Sequence, residues 1–579
     1  MRTALLFILC ASTVYAQTDI KAVVRNALSK AIKNVFVMND VSATLGVDKT
    51  PQLQKANEGA IEAQRTGDIL QEATRLLVEE NGANILSQIG SVDAVGLLNE
   101  LGGAKATVAP GRKKRQYGGE PSNNDKCIDK SSCERSFPFR SISGFCNNDG
   151  NPELGSTFHQ MRRFMGTAKY DDGFNSIRRR SANGGTLPSA REVSNKIFKE
   201  ASIPAFDSKY SHMLQQFGQF IAHDVVFTPT AVGPNNAALN CSSCDSGNIN
   251  QNCAPIEVPN GDEYFPSTVG GQKACIRLTR GINGQKGVGQ RAQINQDTHF
   301  LDMSVVYGSD DCVAKELRTF SRGNMKMYTT NGYTLPPQAT NDSNCQSAPG
   351  SLCFLCGDSR NSLHPGLIPL HTIYLLQHNK WANEIAALRP TWSENSVYHE
   401  TRRLMVATWQ YHAYSSYLPK IIGNDMMNKL KLTLSGLKYN FDARVNPSVS
   451  VEFCTSAFRF GHSQVRKDIP RVNQNNVAVG PYVNLGNNTF YTDTLYDKTA
   501  DVFTSARGMV NTAAMAVDRQ FSFPIRNQLF EIRNRPASGI DLSAVNIQRG
   551  REEGVQPYNE AACGIVESDV IRPAQNRHE

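Results

Sequence analysis

Apolar residues recur at helical spacing along much of this 579-residue chain. Between residues 61 and 80, Ile69, Ala73, Leu76 and Leu77 form one apolar stripe, and the pattern predicts further helices over 210–225, 370–388 and 400–417. Clusters of Gly, Pro, Asn and Ser separate these stretches, strand-like alternation is scarce, and no regular repeat occurs. The fold predicted is mainly α, with little β. One short apolar run, residues 4–10, follows Met1 and Arg2 and leads into Val14-Tyr15-Ala16. That layout is the one of a secretory signal peptide. A membrane anchor is the alternative, but the run is too short to cross a hydrocarbon core and no other stretch is long and apolar enough. The expectation is a signal peptide over 1–16, a secreted, extracellular protein and no membrane span.

A hydrophobic content of 40% excludes disorder as the main state, and a net charge of +8 over this length is too mild to argue for nucleic acid. The dense basic cluster Arg112-Lys113-Lys114-Arg115 lies between Pro110-Gly111 and Gln116-Tyr117-Gly118-Gly119. It reads as a proprotein cleavage site, with a plain solvated loop as the alternative. The organisation predicted is therefore a helical propeptide over 17–115 and a catalytic domain over 116–579. Of 14 cysteines, 13 remain once Cys10 leaves with the signal, which suits an oxidising compartment.

Residues 216–229, QFGQFIAHDVVFTP, carry the strongest chemical signal. On a helix, Met213, Phe217, Phe220 and Ile221 form an apolar face, while Gln219 and His223, four apart, share the other side. Alone, a histidine so placed is more often a surface or satisfied core residue than a catalyst. The string as a whole resembles the distal haem helix of animal haem peroxidases, the group that includes myeloperoxidase, thyroid peroxidase and peroxidasin. The resemblance implies that Gln219 lines the peroxide and anion pocket, that His223 is the distal acid and base, and that Asp224 ligates calcium.

Four further strings follow in the family's order. Residues 298–310, THFLDMSVVYGSD, resemble its calcium loop, with side-chain oxygens from Thr298, Asp302 and Ser304 and the carbonyl of Phe300. Helix capping by the same residues is the plainer alternative. In CFLCGDSRNSLHPGL, residues 353–367, Arg360 matches the arginine that polarises bound peroxide; a surface ion pair is the alternative. In SAFRFGHSQV, residues 456–465, His462 matches the proximal iron ligand and Arg459 a residue facing a haem propionate. In SAVNIQRGRE, residues 543–552, Asn546 matches the hydrogen-bond partner of the proximal imidazole. The family also pairs Cys133 with Cys146, Cys241 with Cys253, Cys244 with Cys275 and Cys345 with Cys353. It leaves Cys127, Cys312, Cys356 and Cys454 unassigned.

Departures from the family sharpen the expectation. Its two ester-forming carboxylates are replaced by Ala222 and Leu363, and the methionine of a third link by His364. Haem b is therefore expected without covalent links, and phenols such as tyrosine are expected as reducing substrates ahead of halides. The chain is also expected to lack the family's last helical portion, in which the usual partner of Cys563 lies, and Asn341 and Asn487 begin glycosylation sequons. The function expected is a secreted haem peroxidase that reduces hydrogen peroxide. Two other readings stay open: a haem- and calcium-binding or matrix interaction protein whose activity has decayed, and a prostaglandin-synthase-like dioxygenase.

Overall fold

A computed structural model describes residues 20–35, 54–102 except 91, 127, 133 and 138–560, with gaps at 149, 246–248, 331, 340–344, 348–351, 435–441 and 494–501. The signal segment, the basic cluster at 112–115, Asn341 and Cys563 lie outside the described residues. Helices dominate, as the apolar spacing predicts. The main ones are α1 (residues 20–35), α2 (Glu58–Asn81), α3 (Ala190–Ile197), α4 (His212–Val225), α5 (Leu367–Leu388), α6 (Glu394–His412) and α7 (Leu542–Glu552). Helix α6 begins six residues before the sequence-based start, capped by Ser393, whose side chain accepts from the Ser396 amide. It then passes into a single wider turn over Ala413–Tyr417. Strands among the described residues form only short two-stranded ladders.

The largest core gathers Phe220 and Ile221 of α4, Leu367, Leu370 and Leu375 of α5, Met405 and Trp409 of α6, and Ala544 and Val545 of α7. Trp409 is fully buried and lies against Phe217 and Phe220 at ring distances of 5.0 and 5.6 Å. The polar face of α4 is thereby turned away from the α6 aromatics. One of the short ladders, Phe206–Ser211 against Ala513–Met515, leads directly into α4 and fixes where it starts. Arg191 of α3, 1% exposed, ties α3 to the base of α7 through Asp262 and Asp541, each at 2.7 Å. Two carboxylates around one buried guanidinium meet the requirement that an interior charge be paired.

The four cysteine pairs implied by the family all form, and Cys127 pairs with Cys312. Cys356 and Cys454 are free and buried, and burial pushes both thiols up, so neither is a reactive thiolate. No described helix is long and apolar enough to cross a membrane.

Candidate active site

Helix α4 sets out Gln219 and His223 one turn apart. His223 is 6% exposed, and burial, reinforced by the Arg360 guanidinium, pushes its imidazole well below the ordinary range, so it stays neutral. Its Nδ1 has no hydrogen-bond partner; Asp358 Oδ1 stands 3.8 Å away. Arg360 lies across the C-terminal end of α4. Its Nη1 donates to the Val226 carbonyl at 2.8 Å and its Nη2 to the His223 carbonyl at 3.3 Å, and the guanidinium sits 4.4 Å over the Phe227 ring. Asp358 grips Arg360 through Nε at 3.0 Å to each carboxylate oxygen, and against the cost of burial Arg360 holds that carboxyl below the usual range.

Asp358 is thus the group shared by His223 and Arg360, and the sequence reading passed over it. Its only sequence signal is a carboxylate two residues before Arg360. Asp297, 3.2 Å from Arg360, is pushed up by burial and by Asp358, which leaves Asp358 as the negative partner. Asp358→Asn is expected to cost up to about 10²-fold in kcat/KM for peroxide, because the arginine loses the group that fixes its position. The haem absorption band should be unchanged. Rates within a factor of two of wild type would show that the backbone carbonyls alone hold Arg360.

His364 occupies the methionine position and settles how Gln219 is turned. The Gly366 amide donates to His364 Nδ1 at 3.1 Å, so the proton of this neutral ring sits on Nε2, which donates to Gln219 Oε1 at 2.6 Å. Burial keeps His364 neutral down to about 4. The amide nitrogen of Gln219 is consequently the end left for a ligand. A Cβ on Gly366 would meet Gln216 Oε1 at 2.2 Å, so a larger residue there would have to displace that side chain.

His462 ends a tight turn, Ala457–His462, that follows the short helix Val451–Thr455, and this turn packs beside α4. The proximal segment is therefore two short turns where the resemblance implied one helix. Asn546 of α7 places its side-chain nitrogen 2.9 Å from His462 Nδ1, and its oxygen accepts from Arg459 Nη1 at 2.6 Å. Burial, with Arg459 nearby, keeps His462 neutral down to about 3. A neutral imidazole that spends only Nδ1 on the protein has Nε2 available for a metal.

Asp224 and Asp302 are fully buried side by side. Burial and Asp302 push the Asp224 carboxyl up to about 8, and burial also raises Asp302. Ser304 Oγ donates to the Asp224 carbonyl at 2.6 Å, Thr298 Oγ1 donates to Asp302 Oδ2 at 2.9 Å, and Trp409 Nε1 donates to Asp224 Oδ2 at 2.7 Å. Two interior carboxylates amid hydroxyls, with no cationic side chain bonded to either, form a donor set suited to a hard divalent cation.

A profile of the animal haem peroxidases matches residues 139–567, a span that contains all of these groups. The chain belongs to the animal haem peroxidase family. It is a haem-dependent peroxidase. Heme peroxidase 2 of Caenorhabditis elegans is 41% identical over 575 residues, covering 96% of this chain and 78% of that protein. Lactoperoxidase of Mesocricetus auratus is 33% identical over 466 residues, 76% of this chain and 63% of its own length. Among solved structures, peroxidase A of Dictyostelium discoideum superposes with a TM-score of 0.59 at 28% identity, covering 76% of this chain and 80% of that one. A fatty acid alpha-dioxygenase of Arabidopsis thaliana reaches 0.54 at 16% identity, which is a likeness of fold alone. This peroxidase carries Ala222 immediately before His223 and Leu363 three residues after Arg360.

Proposed function

We propose that this peroxidase is secreted, holds haem b noncovalently between His223 and His462 with a calcium ion beside the distal histidine, and oxidises phenols such as tyrosine in preference to halides. The observation that carries the reading is the cluster of His223, Asp358, Arg360 and the His364-fixed amide of Gln219, opposed by His462 with Asn546 behind it. Bound haem supplies the iron that accepts the peroxide oxygen and the electron-transfer chemistry. His223, neutral and with a free ring nitrogen, takes the proton from one peroxide oxygen and returns it to the other. Arg360 keeps its charge at every working pH and stabilises the negative charge that grows as the O–O bond breaks. The Gln219 amide N–H orients the incoming oxygen or anion.

Haem and Arg459 are linked through Asn546. For His462 Nε2 to bind iron, the ring proton would have to sit on Nδ1, which now faces the Asn546 nitrogen and would then need as acceptor the Asn546 oxygen, at present accepting from Arg459. Were Arg459 to hold a haem propionate, that oxygen would be free to accept from the imidazole, so the two roles are compatible. Calcium falls to Asp224, Thr298, Phe300, Asp302 and Ser304. Secretion is supported by the five disulfides and the N-terminal apolar run, and Asn487 is exposed, as a glycan requires.

The test is expression in a secreting host with haem and calcium, followed by extraction in acidified organic solvent and by initial rates with a phenol and with bromide. All haem is expected to leave the protein, and the phenol rate is expected to exceed the bromide rate. Haem that stays with the polypeptide, or bromide oxidised as fast as phenol, would overturn the reading. Bound haem without any turnover would favour the decayed binding protein.

A further inference from the structure

The helical segment before the basic cluster is built into the peroxidase body. Ala56, Ala60 and Ile61 share one core with Ala231, Leu239, Cys241, Cys253, Ile282 and Ile294. The contact is also specific. Gln64 acts as a strand neighbour to Val232, donating from Nε2 to its carbonyl and accepting its amide at Oε1, both at 2.9 Å. Gly67 lets the α2 backbone touch the body directly: a Cβ there would lie 1.9 Å from the Asn283 carbonyl oxygen, and Asn283 Nδ2 donates to the Gly67 carbonyl at 2.9 Å. Two turns further, Thr74 Oγ1 accepts the Gly289 amide at 3.0 Å.

Charge is matched as well as shape. Arg280 and Arg291, each 2% exposed, lie close enough for burial and Arg280 to hold the Arg291 guanidinium down to about 10. On the body side the facing carboxylate is Glu552; on the α2 side it is Asp68, whose carboxyl burial pushes up against the lowering field of Arg291 and Arg280. Removing α2 would leave two neighbouring interior cations with one carboxylate between them, an arrangement costly to keep buried.

The docked end reaches the site. The Gln54 carbonyl accepts from the Thr230 amide at 2.9 Å, and the Asn57 amide donates to Gln296 Oε1 at 2.9 Å. Gln296 in turn donates its amide to the Phe227 carbonyl at 2.7 Å, and Asn295 Nδ2 donates to the carbonyls of Val225 and Thr298. Residues 54–57 therefore clamp together the exit of α4 and the entry to the loop that bears Thr298 and Asp302.

We propose that residues 54–78 are a permanent structural element of the mature protein: cleavage at 112–115 leaves them bound as a noncovalent light chain that braces the end of α4 and the 294–305 loop. No cysteine lies between residues 17 and 115, so contacts alone hold the two pieces together. The bracing role rests on the peroxidase reading only for what the 294–305 loop binds.

The test replaces residues 112–115 by the recognition sequence of a site-specific protease, which makes it independent of natural processing. The haem-loaded protein is cut to completion and run by gel filtration at physiological salt and by non-reducing denaturing electrophoresis. One native peak containing both pieces, and two bands on the denaturing gel, is the expected result. A wild-type light chain that elutes apart from the body overturns the proposal. In the cut protein, Gly67→Leu with Asp68→Lys is expected to release the light chain at least tenfold faster and to raise amide hydrogen exchange in 225–232 and 294–305. Should that variant not fold, the wild-type elution still decides retention, and exchange in wild type before and after stripping the light chain with mild denaturant decides the bracing. Unchanged exchange in those two segments on release overturns the bracing.

Discussion

His223→Ala is expected to abolish nearly all peroxide-dependent phenol oxidation, by roughly 10²–10⁴-fold in kcat/KM for peroxide, the range a positioned acid–base group contributes. The substitution isolates chemistry from folding. The side chain makes no hydrogen bond through Nδ1, and its backbone carbonyl, which accepts from Arg360, survives the change. Nothing polar is orphaned, so the haem absorption band should persist and added imidazole should restore part of the rate. In the wild type, burial and Arg360 keep the ring neutral well below the usual histidine range, so the base form is present at neutral pH and far into mild acid. The rate should therefore hold as pH falls through about 6.5, where an exposed histidine would already be protonated. A variant within tenfold of wild type would remove His223 from the proton-transfer role.

Urea midpoints are expected to fall steeply as pH is lowered from about 6.5 towards 4. Five histidines away from the iron and calcium ligands are buried and held neutral, chiefly by burial: His212 and His399 down to about 3, and His364, His371 and His378 down to about 4. In the unfolded chain each takes a proton near 6.5. Because the folded pKa lies below the unfolded one, the unfolded state binds more protons throughout this window. Stability is complete above about pH 6.5 and is lost as pH falls towards the folded values. Each group contributes up to about 1.4 kcal/mol per pH unit, and five together reach several kcal/mol, comparable with the whole stability of a domain. A midpoint flat between pH 6.5 and 4.5 would show that these rings are solvated or already paired when folded.

The helices at 61–80, 210–225 and 370–388 were legible in the sequence because each buries one continuous apolar stripe, and burial of that stripe is what the 3.6-residue period records. The wider turn at Ala413–Tyr417 was not legible, since it reflects how α6 meets its neighbours. Of the site, His223, Gln219, Arg360, His462 and Asn546 were found from the order and content of the motifs. Asp358 and His364 were missed as positioning groups because their roles depend on which atom faces which neighbour, and spacing carries no such information. The pairing of Cys127 with Cys312, 185 residues apart, was likewise invisible to cysteine arithmetic.

The boundary at 112–115 shows the division most clearly. By itself the sequence determined the helical class, the family and the residue types of the site, since each depends on local pattern or on a matching string. Only the tertiary structure decided that α2 belongs to the body, that Asp358 holds Arg360 beside His223, and that His364 turns the Gln219 amide. Those outcomes depend on groups distant in the chain meeting at hydrogen-bond range in the interior, where an unpaired charge or donor is costly and the fold must supply each with its partner.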